Sequence, residues 1–228
     1  MIRANCIATE KKVNMNRSQK YDIKNICDQF GNSVPEYYED PNETLAIDEV
    51  ERIALLNEKT KNPVMIECGS DHAYYSMLWK KILPNSTNVL IEPFDKHMEL
   101  GKAHFSLNKL DGIFLLRTVG KKWAGAKGVA SEFEQKDPIT FLEIMRENNL
   151  TCVHLLHCDI DGCEIDMLKC NEDVFKNKLI HNIVVMTHGI LLHKEAREII
   201  LNHGYTITKD HPDQNIGWDG MIVASANL

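Results

Sequence analysis

The sequence predicts an open α/β sheet of about seven strands, mostly parallel, with one antiparallel strand and helices on both faces. Three observations point there. Short apolar runs alternate with segments of helical period through most of the chain. The chain then closes with strand, loop and strand, which a parallel sheet accommodates as an antiparallel pair at one end. Several of the apolar runs also end in acids or a histidine, as expected where strand tips line a ligand crevice.

Residues 1–43 are polar, poorly periodic and broken by Pro35 and Pro41. They read as an extension suited to a lid or an oligomer contact, with one short docking helix carried by Tyr21, Ile23, Ile26 and Phe30. The main domain is taken as 44–228. Its first helix follows Thr44 and sets Ile47, Val50, Ile53, Ala54 and Leu56 on one stripe. The central unit, 63–93, comes next. Val64-Met65-Ile66 forms a strand, Glu67-Cys68-Gly69-Ser70-Asp71 a turn, and Tyr75, Leu78, Trp79 and Ile82 mark a helix. Val89-Leu90-Ile91 is the second strand and ends in Glu92-Pro93. A helix over 96–107, a third strand over 112–119 and a Gly- and Lys-rich loop over 120–128 follow. Thr140 and Glu143 form a capping box that opens a further helix. The fourth strand, 152–160, runs into Asp159-Ile160-Asp161-Gly162-Cys163-Glu164, and a helix begins at Ile165. The fifth, 179–186, ends in Thr187-His188-Gly189. Leu192, Ala196, Ile199 and Ile200 make another amphipathic helix, closed by Gly204. Strands at 205–208 and 220–224 flank a polar loop that contains Trp218.

Composition narrows the function classes. The net charge of −7 over 228 residues argues against a general nucleic-acid binder, which needs a basic surface for phosphates. Lys121, Lys122 and Lys127 are the sole hint of a basic patch. The seven cysteines show no C-x-x-C spacing, so they read as reduced residues of a cytoplasmic chain rather than as a zinc or redox framework. The first residues lack the apolar core of a secretory signal. No apolar run approaches the roughly 20 residues of a membrane span.

Four tips are expected to converge on one edge: Glu67, Gly69 and Asp71; Glu92; Asp159, Asp161 and Glu164; and His188. A dinucleotide fits them poorly. Its fingerprint, G-x-G-x-x-G, places a pyrophosphate on a helix N-terminus. Here the turn runs Gly69-Ser70-Asp71-His72-Ala73-Tyr74, with one glycine and an acid that would repel phosphate. S-adenosylmethionine carries a sulfonium, an ammonium and a carboxylate but no phosphate. Acids near the turn suit its cations, backbone N–H groups suit its carboxylate, and Glu92 can accept from both ribose hydroxyls.

These segments resemble the FkbM family of S-adenosylmethionine-dependent methyltransferases. The resemblance rests on Glu67-Cys68-Gly69-Ser70-Asp71, Ile91-Glu92-Pro93, Gly101-Lys102-Ala103-His104-Phe105-Ser106-Leu107-Asn108, Thr140-Phe141-Leu142-Glu143, His157-Cys158-Asp159-Ile160-Asp161-Gly162-Cys163-Glu164 and Met186-Thr187-His188. They occur in the family's order over about residues 45 to 224. Ala73 stands where the family has a second turn glycine, Asp71 where it has asparagine, His157 where it has lysine and Met186 where it has an acid. The resemblance implies a Rossmann-like class I methyltransferase fold and O-methylation of a hydroxyl on a small molecule, sugar or glycan.

On this reading Glu67, Gly69, Ser70, Asp71, Glu92 and Pro93 hold the cofactor. His188 is the leading base, because imidazole titrates near neutral pH. Asp159 and Glu164 orient it, hold the acceptor hydroxyl or ligate a divalent ion; no residue is assigned to a metal. Two rivals stand beside this reading. One is a metal-dependent hydrolase built on Asp159, Glu164 and His188. The other is a non-catalytic binding subunit, motivated by His157 and Met186.

Overall fold

The computed structural model describes residues 20–23, 41–120, 136–212 and 219–226. Its centre is strand β1 (Val64–Cys68), in which every residue is buried, as a strand covered on both faces must be. Around it lie β2 (Thr87–Ile91), β3 (Ile113–Leu115), β6 (Leu155–Cys158), β7 (Asn182–Thr187), β8 (Tyr205–His211) and β9 (Gly220–Ala226). The seven strands run in the order β3-β2-β1-β6-β7-β9-β8. All pairings from β3 to β7 are parallel, and β9 is antiparallel to both β7 and β8. The order reverses between β1 and β6, so the carboxyl ends of those strands open a crevice.

Alternate residues feed two cores. On one face Met65, Leu90, Leu155 and Val184 pack under α1 (Pro41–Leu56), α2 (Tyr74–Ile82) and α3 (Asp95–Leu107), with Trp79 and Phe105 fully buried. On the other, Ile66, Val89, Leu156 and Val185 pack under α4 (Phe141–Glu147), α5 (Glu164–Cys170), α6 (Glu172–Lys176) and α7 (Ile190–Asn202). The Thr140–Glu143 capping box is present in both directions: Thr140 Oγ1 accepts the Glu143 N–H and Glu143 Oε2 accepts the Thr140 N–H. Gly204 closes α7 at φ +73°.

The structure departs from the sequence expectation in several places. The expected third strand divides. The Arg117 N–H turns back to the Leu115 carbonyl at 2.9 Å, and β4 (Thr118–Val119) leaves to pair with β5 (Pro138–Ile139) in a separate two-stranded sheet. The fourth strand is shorter than its apolar run, with Val153 held by an isolated bridge to Ile180. Helix α1 begins at Pro41, a residue read above as a breaker; proline suits the first helical turn, where no N–H is needed. From the amino-terminal extension, Ile23 is buried against the α1–α2 core, and the Tyr21 hydroxyl donates to Glu51 at 2.5 Å. Ile26, Phe30, Lys121, Lys122, Lys127 and Trp218 lie outside the described residues. Among the described residues no helix is long and apolar enough to cross a membrane.

Gly69 ties the fold to the crevice. It has φ +72°, and a Cβ there would sit 1.7 Å from the Asp159 carbonyl oxygen. Gly204 shares the positive φ, but its Cβ would meet the mobile end of Lys178 at 3.1 Å. Gly204→Ala should therefore cost about 1–2 kcal/mol, the strain of the left-handed backbone alone. Gly69→Ala should cost more than about 4 kcal/mol or prevent folding. Urea denaturation of both variants checks this, and equal losses would contradict it.

Candidate functional site

The turn after β1 is held by its neighbours on both sides. The Gly69 and Ser70 N–H groups donate to the Ile91 carbonyl at 2.9 and 3.2 Å, and the Asp159 N–H donates to the Cys68 carbonyl at 2.9 Å. The glycine at this turn therefore meets the tip of β6, and the turn amides are bonded to β2. Ala73 occupies the left-handed region at φ +63° and is fully buried, which accounts physically for a glycine at this place in the resembling family.

The acids of this edge are in different states. Glu67 lies beneath the turn, 1% exposed, and its Oε2 accepts the Ser76 N–H at 3.2 Å in the first turn of α2. Burial pushes its carboxyl up to about 8 despite that bond, so it holds a proton at neutral pH. Glu92 closes β2, with Oε2 accepting the Asp71 N–H at 3.0 Å and Oε1 the Phe94 N–H at 2.9 Å. Each oxygen keeps another lone pair for a ligand hydroxyl. Pro93 is half-buried beside it. The Asp71 carboxylate is gripped by the Nδ1 atoms of His72 and His97, the latter at 2.9 Å. Burial disfavours its charge, but the two imidazoles outweigh burial and hold it well below the usual carboxylate range. Phe94 and His97, with ring centroids 5.1 Å apart, stand at the mouth beside Glu92.

Across the crevice, His188 follows β7. Its Nδ1 lies 2.6 Å from Oε1 of Glu164, which is fully buried at the start of α5. Its Nε2 lies 3.3 Å from Asp159 Oδ1, 3.3 Å from Asp161 Oδ1 and 3.6 Å from Asp219 Oδ1. Burial opposes the charged ring, yet Asp159 and Glu164 raise its pKa to about 11. A ring so held carries its proton at neutral pH and cannot accept another until the charge around it changes. His157, at the family's lysine position, is fully buried and stacked on Tyr75 at 3.8 Å. Burial lowers it to about 4, so no positive charge stands there.

The structure thus brings Gly69, Ser70, Asp71, Glu92, Pro93, Asp159, Glu164 and His188 to one edge and places Glu67 below it. Phe94, His72, His97 and Asp219 were not singled out from the sequence. Asp219 had a readable signal: an antiparallel strand begins where its parallel neighbours end, so the residue before β9 reaches the same edge. The Asn42 side-chain amide at the start of α1 donates to the Asp219 carbonyl at 2.5 Å and holds that loop end in place. Behind His188, Thr187, His193 and Asp210 form a chain of 2.8 Å contacts. Thr187 and His193 are buried, so this chain braces β7, α7 and β8 rather than facing a ligand.

Solved structures show the same fold. The chain is similar to a structure described as the delta-N METTL16 MTase domain, with a TM-score of 0.59, 11% identity and coverage of 97% of this chain and 96% of that one. It is similar to the N-terminal domain of human METTL16, with a TM-score of 0.62, 13% identity and coverage of 92% and 78%. It is also similar to a human methyltransferase 10 domain containing protein, with a TM-score of 0.58, 10% identity and coverage of 96% of each chain. No family model matches the sequence, and no curated protein does. At these identities the likeness establishes the fold: the Rossmann-like methyltransferase architecture, with its seven-stranded sheet and single antiparallel strand.

The Asp71–His97 pair gives a pH prediction. The groups around it are His72, Glu92 and, through its charge, Asp161. Asp71 is depressed in the folded chain, so its stabilisation is present above the ordinary aspartate value of about 3.9 and lost as pH falls through its folded value. His97 is raised, chiefly by its bond to Asp71. Its share is complete below the ordinary histidine value of about 6.5 and lost as pH rises through its folded value. Both shares are full between about pH 4 and pH 6.5. Urea midpoints of the parent should fall away from this window more steeply than those of Asp71→Asn; parallel pH profiles would contradict the pairing.

Proposed function

We propose that the chain is an S-adenosylmethionine-dependent methyltransferase that methylates a hydroxyl of a small molecule, sugar or glycan. The observation that carries this is Glu92, fixed by two backbone amides at the tip of β2 beside the β1 turn, with free lone pairs for a ribose diol. The edge around it is acidic, which suits a sulfonium and an ammonium and opposes a pyrophosphate. The fold shared with the METTL16 MTase domain supports the same reading. Membership of the FkbM family rests on the motif segments and their order.

In the reaction the acceptor oxygen attacks the methyl carbon of the sulfonium. The C–O bond forms as the C–S bond breaks, and the bond pair returns to sulfur, which leaves as the neutral thioether of S-adenosylhomocysteine. The hydroxyl proton leaves through the carboxylates around His188. Ile190 and Leu191, exposed at the start of α7 just after His188, suit an acceptor with an apolar body.

Calorimetry with S-adenosylhomocysteine tests the cofactor assignment. The parent should bind one equivalent. Glu92→Ala should lose at least tenfold in affinity, about 1.5–3 kcal/mol for hydrogen bonds to a charged group. Absence of binding by the parent, or undiminished binding by Glu92→Ala, would overturn the assignment. Release of methylated product from a hydroxyl-bearing acceptor library separates an enzyme from a binding subunit.

A further inference from the structure

We propose that Asp159, Asp219 and Nε2 of His188 form a binding site for one divalent cation of the Mg2+ or Mn2+ type, with His188 as a metal ligand rather than a base. One oxygen or nitrogen from each of the three residues lies within 4.8 Å of the others. Three carboxylate oxygens converge on the single Nε2 atom at 3.3, 3.3 and 3.6 Å. Those separations are longer than the about 2.7–2.9 Å of the strongest charge-assisted hydrogen bonds. They suit neighbouring corners of an octahedron, which lie about 3.0–3.4 Å apart for metal–ligand bonds of about 2.1–2.4 Å.

The opposite side of the ring is prepared for this. Nδ1 meets Glu164 Oε1 at 2.6 Å, and the same oxygen accepts the Gly162 N–H at 3.0 Å. An ion that displaces the proton on Nε2 leaves the other proton on Nδ1 with Glu164, the carboxylate–histidine–metal arrangement in which the outer acid fixes the tautomer. Glu164 supplies a second, separate observation. It is fully buried and directed at this ring, yet its Oε2 has no hydrogen-bond partner. A buried carboxylate needs positive charge nearby; the protonated ring supplies it in the empty site, and a divalent ion that displaces the Nε2 proton takes over that role.

Another cluster shows what the arrangement requires. Ligand atoms of Cys152, His154 and His181 also lie within 4.8 Å of one another. There, however, Nδ1 of His154 accepts the Val64 N–H at 3.0 Å. A metal on Nε2 would leave that ring with no proton on either nitrogen, so the same donor count does not make an equivalent site.

Carboxylate oxygens with one imidazole favour hard cations. The site lies on the strand next to the cofactor turn, since the Asp159 carbonyl is the group Gly69 packs against. Its role in the reaction rests on the methyltransferase reading; the binding of the ion does not. The ion takes the acceptor hydroxyl oxygen and lowers its pKa, and the released proton passes to the exposed Asp161 and on to water.

The test is a Mn2+ titration of the whole protein followed by electron paramagnetic resonance. One equivalent should bind, with a pulsed-spectrum nitrogen coupling from a single imidazole. Asp159→Asn and Asp219→Asn should weaken binding at least tenfold, His188→Gln should abolish the coupling, and Cys152→Ser should change neither. Broadening by Mn2+ of the amide resonances of residues 159–162 and 188–190 in the parent requires no variant to fold. No stoichiometric binding, no nitrogen coupling, undiminished binding by Asp159→Asn, or broadening centred on residues 152–154 would each overturn the proposal. S-adenosylhomocysteine affinity, measured in the same samples with and without chelator, reports on the cofactor reading separately.

Discussion

The approach of Gly69 to the Asp159 carbonyl is the contact on which the rest of the site depends. A side chain at Gly69 would put a carbon 1.7 Å from that oxygen, so the β1 turn and the β6 tip can meet only through a residue without one. The Asp159 N–H bond to the Cys68 carbonyl, at 2.9 Å, closes the same junction from the other direction. On the β1–β2 side stand Asp71, Glu92, Phe94 and His97. On the β6–β7 side stand Asp159, Glu164, His188 and Asp219. The junction brings the β1–β2 group and the acid–histidine group to one edge of the sheet.

Crowding so many acids along one edge is costly unless each is given a separate means of support. Glu67 is buried and holds its proton. Asp71 is paired with two imidazoles. Glu92 is bonded to two backbone amides. Glu164 is bonded to His188 and to the Gly162 N–H. Asp159, Asp161 and Asp219 share one nitrogen at distances too long for strong bonds. The first four are supported chiefly by burial, imidazoles or backbone amides, and the last three meet around His188 at the tips of β6, β7 and β9, the place of the proposed cation site.

Much of this was legible in the sequence, for physical reasons that also mark where legibility ends. The parallel sheet followed from the alternation of apolar runs with helical segments, and the antiparallel strand from the closing pair. The capping box was readable at Thr140 and Glu143 because it is a local device. The division of the third strand was hidden, because a backbone turn at Leu115–Arg117 leaves no mark in an apolar run. Glu92 and His188 were readable as strand-tip residues. The grip of His72 and His97 on Asp71, the burial of Glu67 under its helix and the arrival of Asp219 depend on packing between segments distant in the chain. Gly69 was read as a cofactor-binding residue of the turn; that the Asp159 carbonyl packs against it was hidden in the sequence, because β6 lies some 90 residues further along the chain.

Amide hydrogen exchange with and without S-adenosylhomocysteine tests the central claim most directly, that the β1 turn, the β2 tip and the β6 tip form one cofactor crevice. Protection should rise together in segments 67–73, 91–97 and 159–164, with little change in β8 and β9. Protection confined to one of those segments, or falling elsewhere on the chain, would contradict the account.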